Sequence, residues 1–437
     1  MSVIRQLDLR GLPVVEAQLA EQIPRAKLNI DAAMEVATGV INSVRTSGVS
    51  YIRELSKELD GFDPEPLRVS SEELNQALHA LDPDLRAAIE AAIDRNRIVS
   101  QAAVPEAFGV ELSKGASVSQ RYVPVDSVGL YVPGGKAVYP SSVVMNAVPA
   151  QVAGVSKIFL ATPGQRDFDG RPHPSVLATA ALLGLEDVFC IGGPAAIAAF
   201  AYGIEEIDLP AVRLITGPGN AYVAAAKRLV RSTVAIDSEA GTTEILIIAD
   251  EFANPKLVAA DLISQAEHDE SAAAVLVTDS EILLAKVLLE LETQVLATKH
   301  SRRVAAALGG QQSALVLVDS LDQAVEVANS YATEHLEILV SEPNVLLPKI
   351  TNAGAIFLGE YSPVSLGDYL AGSNHVLPTG GTAKYSSGLG VHTFLRPQQI
   401  IDYSRAALEE QAGSLPLFAN AEDLPAHGEA VLKRFES

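Results

Sequence analysis

Apolar residues recur at helical spacing through the first quarter of the chain, so residues 1 to about 110 are expected to be helical. Ser70 and Glu73 form a capping-box pattern before Leu74, Ala77, Leu78 and Leu81. Asp82-Pro83 then supplies an N-cap and a first-turn proline, with Leu85, Ile89 and Ile93 on one face of the next helix. From residue 127 the texture changes to short apolar runs that lead, mostly through glycine, into helical patterns. Strands are expected at 128–132, 157–161, 187–191 and 212–216, with helices at 140–153, 174–184, 195–202 and 221–230. The alternation resumes with strands at 244–248, 273–277, 315–318 and 336–340 and helices at 255–267, 280–293 and 321–332.

Strand–helix repetition of this kind builds parallel, doubly wound sheets. The expected fold is α/β, with two open, mostly parallel, Rossmann-like sheets, an N-terminal helical segment and a small C-terminal docking tail. The expected division is 1–28 as the helical segment, 29–127 with 241–384 as a discontinuous α/β domain, 128–240 as a second α/β domain, and 385–437 as the tail. That tail is too short to hold a core of its own and must dock elsewhere.

Composition narrows the function. A formal net charge of -22 repels phosphate backbones, so nucleic acid is not an expected partner. No apolar run approaches the roughly 20 residues that span a bilayer, and the start of the chain shows no signal-peptide pattern. A cytoplasmic enzyme is expected. Cys190 is the single cysteine, so an internal disulfide and a thiolate cluster are both excluded. Any metal must be held by imidazole, carboxylate and amide groups.

Four stretches carry residue types suited to metal binding and proton transfer. Gln265 and His268 lie three apart at a helix end, which puts both side chains on one face. Glu334-His335 directly precedes an apolar strand, at the loop–strand edge of an open sheet. Asp368 and His375 bracket a loop containing Gly372, and Glu422 and His427 stand five apart in the tail. Each alone also fits a solvated turn or a helix-end dipole partner; half of the 8 histidines falling in these stretches is what favours chemistry. The loops Gly134-Gly135, Gly192-Gly193 and Gly217-Pro-Gly219 follow strands and open helices, a geometry that admits a pyrophosphate. None completes G-x-G-x-x-G, and glycine at such turns also serves packing.

Together these stretches resemble histidinol dehydrogenase, from about residue 30 to the C-terminus. The resemblance is carried by Gly129-Leu-Tyr-Val-Pro-Gly-Gly135, Gly217-Pro-Gly-Asn-Ala221, Asp261-Leu-Ile-Ser-Gln-Ala-Glu-His268, Thr333-Glu-His335, Gly367-Asp-Tyr369, Asn374-His-Val-Leu-Pro378 and the Glu422 to His427 tail. It implies a zinc enzyme, one Zn2+ per subunit, that oxidises L-histidinol through bound L-histidinal to L-histidine with two NAD+. It implies Gln265, His268, Asp368 and His427 as zinc ligands, and Glu334 and His335 as the catalytic pair. Substrate contacts fall on Thr243, Gln265, His268, His335, Asp368, His375, Glu422 and His427. NAD contacts fall on Tyr131, Ala195 and Asn220, in the domain 128–240. A homodimer is implied in which the tail 385–437 completes the neighbouring subunit's site.

Two departures stand out: Ala195 replaces a glutamine of the cofactor loop, and Gly241-Thr-Thr-Glu244 replaces Gly-Pro-Ser-Glu. They leave open a related zinc/NAD dehydrogenase of another small polar alcohol, such as a sulfonated diol. A zinc hydrolase, with Glu334 activating water, would turn over without NAD.

Overall fold

The computed structural model describes residues 3–26, 30–134, 137–239 and 241–436, with only the backbone of 30 and 31. Among them the strands are β1 (Arg5–Asp8), β2 (Phe108–Ser113), β3 (Ala116–Pro124), β4 (Ser127–Tyr131), β5 (Lys157–Thr162), β6 (Asp187–Cys190), β7 (Leu214–Thr216), β8 (Ala235–Ile236), β9 (Glu244–Ala249), β10 (Ala273–Thr278), β11 (Ala314–Leu317), β12 (His335–Leu339), β13 (Ala355–Leu358) and β14 (Leu395–Tyr403). Two parallel sheets form, ordered β6-β5-β4-β7-β8 and β1-β11-β10-β9-β12-β13. Every residue of β9, β10 and β11 is buried, as the unbroken apolar runs require when helices cover both faces. The two doubly wound sheets expected from the strand–helix alternation are therefore present.

Three features differ from the sequence-based expectation. The N-terminal segment is not wholly helical: β1 adds a parallel edge strand beside β11 before the helix Glu16–Gln22. Four residues are too few to show a period, which is why β1 escapes notice.

The helices covering 30–102 also pack on the first sheet rather than the second. Ala37, Val40, Ile41 and Ile52 join a core with Phe189, Ala199 and Phe200, while Leu74, Ile89 and Ile93 pack with Val128, Val143 and Leu160. The division that groups 29–127 with 241–384 is corrected accordingly for these helices. Sequence position does not reveal which of two similar apolar faces a stripe will meet.

Third, an antiparallel sheet ordered β14-β3-β2 stands apart from the parallel ones, so part of the 385–437 tail is a strand. β14 pairs with β3 from Leu395↔Pro124 to Tyr403↔Ala116. Beyond it, the helices Arg405–Gln411, Ser414–Ala421 and Pro425–Leu432 expose Leu417, Phe418, Leu424 and Leu432. No helix of the described residues is long and apolar enough to cross a membrane.

Candidate active site

Polar side chains converge at the amino ends of β9 and β12, neighbouring strands with His335 opposite Ile245. The chain leaves β9 toward β10 and β11 on one side and later returns on the other as β12 and β13, so this is the sheet's topological switch point. Such sheets commonly bind ligands beyond their carboxyl ends. Here the cluster occupies the opposite edge, toward which the helix Pro255–Ala266 points its C-terminus. The helix Leu321–Tyr331 ends at Ala332 in the left-handed region (φ 50) and turns the chain into Thr333 and Glu334. Gly354 passes so close that a Cβ would lie 2.5 Å from the Glu334 carbonyl oxygen, and its N–H donates to Thr333 O.

The expected catalytic pair is buried at this edge. His335 Nδ1 lies 3.1 Å from the Glu244 carbonyl oxygen, so the Nδ1–H donates there and Nε2 carries the free lone pair. That Nε2 is buried and has no hydrogen-bond partner among the described residues. Burial pushes the imidazole pKa down, against the opposing charge of Asp368, and favours a neutral ring. Glu334 Oε2 accepts from Thr243 Oγ1 at 2.5 Å and from the Glu244 N–H at 2.9 Å. Burial nevertheless pushes the Glu334 carboxyl up to about 8, because desolvation outweighs those two bonds and the nearby charges of Glu244 and Asp368 add to it. Thr243 Oγ1 also accepts from Gln265 Nε2 at 2.6 Å, linking the helix end to the pair.

Three of the expected zinc ligands lie on elements that meet here. His268 follows Gln265 in the turn that ends its helix, with His268 N–H donating to Gln265 O. His268 Nε2 is 3.9 Å from Asp368 Oδ2, at the end of the helix Val364–Tyr369. Two donors that share one ion at zinc's bond lengths sit roughly 3–4 Å apart. Gln265 is buried, and with Nε2 committed to Thr243 its Oε1 meets no donor among the described residues. An imidazole, a carboxylate and an amide oxygen without a partner among the described residues fit a divalent cation. Three converging His, Cys, Asp or Glu side chains are not found among the described residues.

Glu422 and His427 do not join this cluster. Both are exposed on the tail, without a side-chain hydrogen bond or ion pair to any described residue. His375 does reach the site but is committed on both nitrogens. Nδ1 donates to the Asp368 carbonyl oxygen at 3.1 Å, and Nε2 lies 3.0 Å from Ser142 Oγ on the helix Pro140–Ala153. It therefore steadies the Asp368 loop against the first α/β unit.

The expected cofactor positions line the carboxyl end of the other sheet. Tyr131 ends β4, buried, and its hydroxyl accepts from the Gly193 N–H at 3.0 Å; burial pushes that phenol up to about 12. Ala195 is buried in the first turn of the helix Gly193–Tyr202. Asn220 caps the helix Ala221–Val230, its Oδ1 accepting from the N–H groups of Tyr222 and Val223. Gly217 is required by sterics: at φ 120, a Cβ would lie 2.0 Å from the Tyr131 carbonyl oxygen. Lys227 is fully buried and fastens this loop, donating to Gly217 O at 2.5 Å and to Asp237 Oδ1 at 2.6 Å. Gly135 lies outside the described residues.

Sequence reasoning missed Glu244 and Arg25. The Glu244 backbone holds both members of the catalytic pair, while its buried side chain turns to the other face of β9 and bonds Arg25. Arg25 also stacks on Tyr331, 4.2 Å from the ring centre. The available signal was a charged residue heading the otherwise apolar run 244–248.

A family model for histidinol dehydrogenase matches residues 23–435. The chain is 54% identical over 433 residues to a histidinol dehydrogenase of Leifsonia xyli subsp. xyli, covering 99% of each. It is 53% identical over 434 residues to one from Mycolicibacterium smegmatis, covering 99% of this chain and 98% of the relative. The crystal structure of histidinol dehydrogenase from Elizabethkingia anophelis is similar with a TM-score of 0.94 and 31% identity, over 100% of this chain and 98% of that one. The chain belongs to the histidinol dehydrogenase family.

Proposed function

We propose that this chain is a zinc-dependent dehydrogenase that oxidises L-histidinol through bound L-histidinal to L-histidine, consuming two NAD+. The observation that carries the reading is the buried, unpartnered Nε2 of His335 beside Glu334, at the edge where Gln265, His268 and Asp368 converge. When bound, zinc would supply a Lewis-acidic anchor for the substrate's nitrogens, and NAD would supply the hydride acceptor.

The chain's own residues account for the proton chemistry. His335, neutral and with Nε2 free, takes the alcohol proton as hydride leaves carbon, while Glu244 O stabilises the resulting imidazolium through Nδ1–H. In the second oxidation Glu334, oriented by Thr243 and the Glu244 N–H, takes a proton from water as it adds to the aldehyde. Holding the aldehyde in place between the two oxidations prevents loss of a reactive intermediate. Gln265, His268 and Asp368 would hold the metal with His427 from the partner subunit, and Glu422 would reach the substrate from the same tail. Tyr131, Ala195 and Asn220 mark the loops proposed to receive NAD.

A homodimer of cytoplasmic enzyme follows from this reading. Its support is the exposed apolar tail together with the all-exposed edge strand β2, whose Phe108, Val110 and Leu112 are open in the single chain. A second copy is the occupant that would both cover them and complete the ligand set. The deciding experiment measures stoichiometry: two NADH per L-histidinol consumed, abolished by a chelator and restored by zinc. Turnover without NAD, or full activity in the stripped protein, overturns the proposal.

A further inference from the structure

Strand alternation places His335, Glu337 and Leu339 on one face of β12, beneath the helix Pro255–Ala266. A carboxyl in the middle of a buried strand is rare and costly unless its oxygens are satisfied. Glu337 is 0% exposed. Its Oε1 accepts from the Val364 N–H at 3.1 Å. Its Oε2 meets no N–H or hydroxyl donor among the described residues, and the Asp261 carboxyl is close enough for its charge to act on it. Two carboxyl groups can bond only if one carries the proton. Burial, reinforced by the Asp261 charge, pushes Glu337 well above the ordinary carboxylate range, and burial raises Asp261 as well.

The three elements joined here are those that carry the site. Asp261 precedes Gln265 by four residues, one turn back on the same helix face, and His268 follows at the helix end. Val364 opens the short helix on which Asp368 lies four residues later. His335 stands two residues before Glu337 on the same strand face. Leucine of similar volume would fill this space without burying a carboxyl, so stability alone does not account for the pair.

We propose that Glu337, bonded to the Val364 N–H and set beside Asp261, is a positioning residue that sets the spacing of Gln265 and His268 against Asp368 for a divalent cation. The inference rests on the zinc reading above, and its test separates the two. Zinc affinity is measured by chelator competition on the full-length protein, stripped and reloaded, alongside thermal unfolding. Glu337→Leu should weaken zinc binding by about 10–100-fold, the usual effect of removing a group that orients metal ligands, without lowering the unfolding temperature. Glu337→Gln should restore affinity to within about threefold, because its amide accepts from Val364 N–H and donates to Asp261.

Should Glu337→Leu fail to fold, Val364→Pro removes the N–H and leaves Glu337 in place, at a first-turn position that tolerates proline, and should weaken zinc in the same direction. Leu160→Ala, a truncation in the separate core of the other sheet, should lower the unfolding temperature and leave zinc affinity unchanged. Wild-type affinity in folded Glu337→Leu and Val364→Pro overturns this inference alone. A wild-type protein that binds no zinc sinks the zinc reading and this inference with it.

Discussion

The backbone carbonyl of Glu244 accepts the His335 Nδ1–H at 3.1 Å, and this bond decides which imidazole nitrogen faces the site. The preceding peptide N–H donates to Glu334, so one residue of β9 orients both proton-transfer groups of the neighbouring strand. Their roles can then be separated by mutation.

His335→Ala should lose alcohol oxidation by about 10²–10⁴-fold, the range of a lost general base. Glu334→Ala should retain more of the aldehyde-forming half-reaction, followed with L-histidinol, than of L-histidinal oxidation. Equal loss of both steps in both variants would refute the division of labour.

The rate of L-histidinal oxidation should rise with pH through about 8, since Glu334 works as a base only after losing its proton. Glu334→Gln should flatten that limb. The same shift has a cost for folding. A carboxyl whose folded pKa is raised contributes stability that is full below the ordinary carboxylate range and is lost as pH rises through 8. A wild-type profile without a rising limb would remove Glu334 as the base.

Thr243→Val deletes the hydroxyl that donates to Glu334 and accepts from Gln265. Leaving two buried polar groups short of a partner should destabilise the site by about 1–3 kcal/mol. Losing a bond to the ionised form should also move the rising pH limb upward, whereas Thr243→Ser should preserve it. Comparing the three pH profiles checks this, and an unshifted limb in Thr243→Val argues against the bond.

Two inactive variants should rescue each other if the tail acts between subunits. His427→Ala should lower zinc content in the purified protein. Dissociating and reassociating it with His335→Ala should yield hybrid dimers with one intact site, because the intact core and the intact tail then come from different chains. Mixtures that stay inactive, with hybrids confirmed by native mass spectrometry, would place the tail in its own subunit's site.

Short-range physics made much of this molecule readable in advance. The capping box at Ser70 and Glu73 forms as its spacing requires, and Asp82 caps the next helix. The apolar runs around Leu246, Val275 and Leu336 become strands, because runs bounded by polar turns have few other stable uses. Gln265 and His268 share a helix end through i,i+3 geometry, so their proximity was legible too.

Long-range packing settled the remainder. β1 and β14 depend on partners distant in the chain, and β14 finds β3 across more than 270 residues. Whether the helices of 30–102 cover the first sheet or the second depended on shape complementarity between faces that look alike in one dimension. Nor could spacing show that Glu337 would meet Asp261, or that Glu244 would orient its neighbours by its backbone rather than its side chain. Local rules act on dihedrals and periodicity within a few turns, whereas the choice of protonated form and free nitrogen is made by desolvation and by contacts that exist only after the sheets close.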